Sequence, residues 1–345
     1  MCIRDRAGNV QAAEIRSVGP DGEAAVDAST IELTDDQIAQ IKEGGYTAAI
    51  CLHYGGNDWS TSQQKGLEDT FGELGIEIVA VTDANFSAET QVSNIETVMA
   101  KKPDILVSIP TDATATADAY KQAAAAGIKI VFMDQRANGL EAGKDYVSVV
   151  SADNYGNGYA SGTVLGDALG GKGKVAMVYY DANFAPTNQR DEGFRDAMKN
   201  YPDIEIVTEQ GFTDESGCAE QGDAILTQFP NIDGIYASWD VPMEGVLSAV
   251  RAAGMEGKVT LACNDLGNNV AREIASGNIA GGGAQMPYDQ GVAEAKLAAL
   301  ALLGEETPSY VAVPAETVTH ENVLEAYTDV YHVETPDWLK EAYVE

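Results

Sequence analysis

The chain is poor in histidine, cysteine and positive charge, and it has no long apolar run. Its three histidines (His53, His320, His332) and four cysteines (Cys2, Cys51, Cys218, Cys263) are scattered. None has the C-x-x-C or Cys/His spacing of a structural zinc site, which excludes that class. Cys51 and Cys263 fall in apolar, strand-like stretches where a thiol behaves as a small hydrophobe, and the spacing leaves open whether Cys218 and Cys263 pair. Only 21 Lys and Arg stand against 54 Asp and Glu, a net charge of −33. Such a field repels nucleic acid phosphates and anionic lipid, so no nucleic acid partner is expected. The most apolar stretches, 48–52 and 128–133, are far shorter than the roughly 20 residues a membrane-spanning helix needs. Residues 1–30 lack the basic start, apolar run and small-residue cleavage site of an export signal. Met1-Cys2-Ile3-Arg4-Asp5-Arg6 reads as the spurious start of an incomplete frame.

What remains is long and well supplied with core formers. At 345 residues and 45% hydrophobic content the chain exceeds one ordinary domain of about 150 residues and can build two cores. From Tyr46 onward short β-branched runs alternate with helical patterns. Strands are expected at 47–53, 76–82, 105–109, 128–133 and 147–150, then at 174–179, 204–208, 232–237, 259–263 and 279–285. Helices are expected between them, with Leu67, Phe71 and Leu74 on one face of the first, and Val92, Ile95 and Met99 on one face of the second. The rhythm predicts two α/β domains, each a parallel sheet wrapped by helices. Residues 1–45 read as an acidic leader, mostly linker, with one helix at 34–42 capped by Thr34 with Gln37 three positions on.

Enzyme motifs fail on their own terms. Gly166-Asp167-Ala168-Leu169-Gly170-Gly171-Lys172-Gly173 nearly spells a phosphate loop, but Gly173 stands where Ser or Thr would hold magnesium. It also ends a helix and precedes a strand, the reverse of the required context. The first strand leads into His53-Tyr54-Gly55-Gly56-Asn57, not G-x-G-x-x-G. Asp181-Ala182-Asn183 opens like a calcium loop, yet Ala185 and Pro186 take the next essential positions. No nucleophile elbow is present. No catalysis, cofactor or metal is expected.

In open parallel sheets ligands sit beyond the carboxyl ends of the strands. The residues found there are His53 to Trp59, Asp134-Gln135-Arg136, Asn188 and Arg190, Trp239-Asp240, Asn264-Asp265 and Gln285. This mixture suits a neutral polyol. A carboxylate accepts from adjacent hydroxyls, amides donate and accept, Arg donates, and the indoles of Trp59 and Trp239 cover C–H surface. Each type also has a plainer use, since Asp after a strand is often a helix cap and Trp is often core.

Over residues 46–315 the chain resembles the type I periplasmic sugar-binding proteins, the ribose-binding branch in particular. Asn57-Asp58-Trp59 with Lys65-Gly66 resembles that family's Asn-Pro-Phe-Phe loop and following Gly, and Ile109-Pro110-Thr111-Asp112 its Asn-Pro-Thr-Asp turn. Asp134 sits where its Asp-Arg pair begins. Ser151-Ala152-Asp153-Asn154 resembles its first interdomain crossing. Arg190-Asp191-Glu192-Gly193-Phe194 is similar to its Arg-Gly-Glu-Gly-Phe helix, Trp239-Asp240 to its Asn-Asp pair, Asp265 to its Phe-Asp, and Gln285-Met286-Pro287 to its Gln-Leu-Pro.

The resemblance implies two doubly wound, Rossmann-like domains joined by a three-strand hinge near Asp153, Gln285 and Pro314. It divides the chain into 46–152 plus 286–313, and 153–285 plus 314–345. It places Asn57, Trp59, Asp134, Asp265 and Gln285 on the ligand, with His53, Gln135, Asn188, Arg190 and Trp239 at the remaining candidate positions. It implies a monomer at the periplasmic or extracellular face of the membrane that binds a sugar or polyol and delivers it to an ABC-type permease. A sugar sensor for a chemoreceptor or sensor kinase would use the same clamp. The effector domain of a lactose-repressor-type regulator shares the fold but would begin with a basic helix-turn-helix, where this chain is acidic. The departures bear on the ligand: Gln135 and Asn188 replace arginines, Trp239 replaces an asparagine, Ser60 replaces a Phe, and His53 replaces a Ser. These argue against ribose itself. The acidic C-terminal segment with Tyr331, Trp338 and Tyr343 reads as packing.

Overall fold

A computed structural model describes residues 14–344. The expectations for Met1 to Arg6, Cys2 included, lie outside the described residues. In chain order β1 (Val26–Asp27), β2 (Thr47–Leu52), β3 (Glu77–Asp83), β4 (Ile105–Ser108), β5 (Lys129–Met133) and β6 (Ser148–Ala152) enter one sheet. Strands β7 (Lys172–Tyr180), β8 (Asp203–Phe212), β9 (Gly234–Ala237), β10 (Thr260–Cys263) and β11 (Gly281–Ala284) build a second. The chain then returns to the first sheet as β12 (Tyr310–Val313) and ends in the second as β13 (Glu316–Thr319). The spatial orders are β1-β12-β6-β5-β4-β2-β3 and β13-β11-β10-β9-β7-β8. Every neighbouring pair is parallel except β11 with β13. The backbone therefore passes between the sheets three times, after Ala152, Ala284 and Val313.

Both sheets are covered on both faces, as parallel sheets require. Along β2, Ala48, Ile50 and Leu52 join one core cluster while Ala49 and Cys51 join another. Along β7, Ala176 and Val178 face one cluster and Val175 and Met177 the other. This is the period-two alternation of a strand buried on both sides. Several helices of the first half start at side-chain caps: Thr34 with Gln37 forms a reciprocal capping box, Asn57 Oδ1 accepts from the Ser60 amide, and Ser87 caps the helix at Ala88–Ala100. Cys51, Cys218 and Cys263 are free and buried.

One terminal region differs from expectation and the other packs as expected. The leader is not a linker in its described part: β1 extends the first sheet, and Arg16 and Ser17 donate their amides to Asp153 at 2.9 and 2.8 Å. Asp21 pairs with Arg136 at 2.6 Å. A two-residue strand is too short to show alternation, so the pattern could not reveal it. The C-terminal segment adds β13 and two helices, Val323–Tyr331 and Asp337–Ala342, whose Val323, Tyr327, Val330 and Leu339 complete the core of the second sheet.

Strand β11 is unusual in being Gly281-Gly282-Gly283-Ala284. A Cβ on Gly282 would lie 1.7 Å from the Cys263 carbonyl oxygen, and one on Gly283 would lie 2.3 Å from that of Asn157. The helix Asn154–Ala168 thus rests almost on the strand's backbone, where Ser161 Oγ accepts from the Gly283 amide at 2.9 Å.

Candidate functional site

The carboxyl ends of strands from both sheets converge on one cavity, lined by residues of both, the place where open parallel sheets take their ligands. His53 and Tyr54 follow β2, and Asn57 and Trp59 open the next helix. Asp134 follows β5 and Asp265 lies just beyond β10, both in the left-handed region with φ of 53° and 69°. A short polar side chain tolerates that conformation better than most, and in each case it turns the carboxylate out of the strand's line. Gln285 ends β11, Trp239 follows β9, and Arg190 projects from the helix Ala185–Met198.

Eight of the ten ligand candidates line the cavity: His53, Asn57, Trp59, Asp134, Arg190, Trp239, Asp265 and Gln285. Two do not. Asn188 is exposed, because its helix turns Pro186, Thr187 and Arg190 inward and position 188 lies on the opposite face. Gln135 is buried but points away; its Nε2 donates to the Pro110 carbonyl at 2.8 Å and its Oε1 accepts from the Ala185 amide at 3.1 Å. It links the two sheets' loops instead of facing the cavity.

Charge in the cavity is held in a tight network. Arg190 donates to Asn154 Oδ1 (2.9 Å), the Ser238 carbonyl (3.2 Å) and Asp265 Oδ2 (3.1 Å). Asp265 Oδ1 accepts from Gln285 Nε2 at 2.8 Å. Asp134 Oδ1 accepts from Ser151 Oγ at 2.9 Å, with Gln290 Nε2 at 3.4 Å. Burial raises the Asp134 carboxyl above the usual range, and the nearby Arg190 charge opposes this. Burial pushes His53 down to about 3, which keeps its imidazole neutral.

Among the described residues three cavity-lining side chains carry buried polar atoms without a partner: His53 Nδ1, Trp59 Nε1 and Gln285 Oε1. A buried donor or acceptor left so costs roughly 1–3 kcal/mol, which a ligand hydroxyl would recover.

Of the cavity's remaining aromatics, Tyr54 fell within the His53 to Trp59 stretch without being singled out, and the sequence reading missed Phe86, Tyr180 and Phe184. Phe86 lies just past β3 and Tyr180 ends β7, so the strand-end rule applied to every strand would have found both. Of the hinge candidates, Asp153 caps the helix Asn154–Ala168 through the Gly156 amide at 2.9 Å, and Pro314 follows β12 at the third passage.

A cavity between two largely parallel sheets, at the strand ends of both and beside the chain passage at Gln285, defines a two-lobed binding protein that takes its ligand between the lobes. The chain belongs to the periplasmic binding protein domain family, whose model matches residues 48–306. It is 29% identical to the D-ribose/D-allose-binding protein of Pseudomonas aeruginosa, over 76% of this chain and 83% of that one. The structure of an ABC transporter periplasmic solute-binding protein from Actinobacillus succinogenes with bound D-allose superposes with a TM-score of 0.74 at 29% identity, covering 81% of this chain and 99% of that one. A solute-binding protein from Agrobacterium vitis bound to α-D-tagatopyranose gives 0.76 at 26%, covering 83% and 98%.

Proposed function

We propose that this chain captures a neutral sugar or polyol between its two lobes, outside the cytoplasmic membrane, and presents it to an ABC-type import permease. The observation that carries the reading is the set of unpartnered buried atoms, His53 Nδ1, Trp59 Nε1 and Gln285 Oε1, beside the Asp134 and Arg190–Asp265 groups. Together they offer neutral donors and acceptors for hydroxyls around a charge set that is already compensated. The relatives above are transport binding proteins, and the role proposed here is likewise binding without turnover, by a monomer.

The lobes in this reading are 46–152 plus 286–313, with the leader's β1 attached, and 153–285 plus 314–345. They hinge at Asp153, Gln285 and Pro314. Asn57, Trp59, Asp134 and His53 bind from the first lobe, and Arg190, Trp239, Asp265 and Gln285 from the second. Contacts to both halves favour the closed form by their differential affinity.

The test is a thermal-shift panel of the purified chain with pentoses, hexoses, ketohexoses and polyols, and with amino acids and nucleosides as controls. A ligand at a hundred times its Kd adds about 2.7 kcal/mol of stability. A sugar or polyol hit that disappears in Asp134→Ala and Asp265→Ala supports the proposal; a hit confined to the controls overturns the ligand class.

A further inference from the structure

Six rings around the cleft touch in a continuous collar. Tyr54 stacks on Phe86 at 4.3 Å between centroids, and Phe86 meets Tyr180 at 6.4 Å. Tyr180 meets Trp239 at 5.6 Å and Phe184 at 6.2 Å, and Phe184 stacks on His53 at 5.6 Å. Two of these links, Phe86 to Tyr180 and His53 to Phe184, join loops of opposite sheets.

On the Tyr54, Phe86 and Trp239 side of this collar, away from the unpartnered His53 Nδ1 and Trp59 Nε1, the polar edges are engaged within the protein. The Trp239 indole N–H donates to Glu215 at 3.2 Å. Asn57 Nδ2 donates to the Tyr54 hydroxyl at 2.6 Å, and Asn57 Oδ1 is held by the Ser60 amide at 2.9 Å. Gln135 and Asn188, which could have brought amides to the ligand, point elsewhere. Phe86 also sits in the left-handed region with φ of 58°, which a bulky residue rarely adopts, and remains 39% exposed. Its backbone strain and exposure are not explained by core packing; its place on the cavity wall accounts for both.

We infer that the cleft selects a sugar with one edge stripped of hydroxyls, a deoxy or O-methyl sugar, with Phe86 and Trp239 as the selecting residues. This rests on the reading that the cleft binds a sugar. Hydroxyls on one side of the ring meet Asp134, Arg190, Asp265 and Gln285. A hydroxyl turned toward Phe86 and the Trp239 ring loses its water and gains little in return, whereas a methyl or bare methylene there gains ring contact.

The experiment is calorimetric titration of the full chain with matched pairs: D-galactose and D-fucose, D-glucose and 6-deoxy-D-glucose, L-mannose and L-rhamnose, and the methyl glycosides of the parents. At least one deoxy or methylated member should bind about tenfold tighter than its parent, the ratio that ~1.4 kcal/mol produces. Parents that bind as tightly as their partners in every pair, or tighter, overturn this inference and leave the sugar reading standing. Absence of binding by every member of every pair overturns this inference, and the pentose, ketohexose and polyol arms of the thermal-shift panel then decide the sugar reading. Phe86→Asn supplies the second arm, because Asn accepts a left-handed backbone and the variant should melt no earlier than the wild type. Its preference should shrink to about threefold or less, and an undiminished preference removes Phe86 from the selecting set.

Discussion

The two halves of the cleft hold their polar groups differently. On the side of the second sheet Arg190 is anchored three times and bridges to Asp265, which is itself held by Gln285. On the side of the first sheet, the cavity-lining His53 and Trp59 carry a buried Nδ1 and Nε1 without partners. The contrast follows from magnitude. An uncompensated buried charge costs several kcal/mol and must be neutralised by the protein itself, whereas a neutral orphan costs roughly 1–3 kcal/mol and can be left for the ligand. The charged groups are thus held in advance, while His53 and Trp59 of the first half, with Gln285 Oε1 of the second, are left to be completed on binding.

The comparison breaks most visibly at Arg190. Arg190→Met leaves Asp265 and Asp134 without their cation and should lower unfolding stability by about 3–5 kcal/mol, read from urea denaturation. A loss under about 1 kcal/mol would show that the second half is not held by its ion pair.

Acid should test the first half. The His53 pKa is depressed to about 3 from an ordinary 6.5, so its contribution is complete above pH 6.5 and is lost as pH falls toward 3. Between pH 6.5 and 4.5 the wild type should therefore lose about 2–3 kcal/mol relative to His53→Gln. Parallel stability curves for the two proteins would mean that His53 titrates normally.

The smallest effect expected is the most selective. Trp59→Phe removes a donor without removing the ring, so stability should change by less than about 1 kcal/mol while sugar affinity falls about tenfold. Asn188→Ala, on the outer face of its helix, should leave affinity within about twofold of wild type. An equal loss in both would erase the distinction between cavity wall and surface.

The parallel sheets and most strand positions were legible because the β-branched runs are short, repeated and separated by amphipathic helices with caps such as Thr34 and Gly254. The strand-end rule located Asp134, Asp265 and Gln285 because it depends on topology, which the pattern carries. It failed for Asn188 and Gln135 because a loop or helix start does not declare which face turns inward; a shift of one or two residues exchanges cavity for solvent. The collar was hidden for a different reason. Tyr54 and Phe86 pair on one lobe and Tyr180 and Phe184 on the other, and only the meeting of the lobes joins the two pairs. The C-terminal segment was legible as packing, but its separate helices did not stand out because their apolar positions are completed by residues some 50 to 150 positions upstream.

The glycine strand β11 limits how the molecule can be altered. Since Gly282 and Gly283 admit no side chain against Cys263 and Asn157, the rod that delivers Gln285 to the cleft is closed to redesign. Anyone converting the clamp into a biosensor for another sugar must therefore work on the loops that carry the rings and leave that axle as it is.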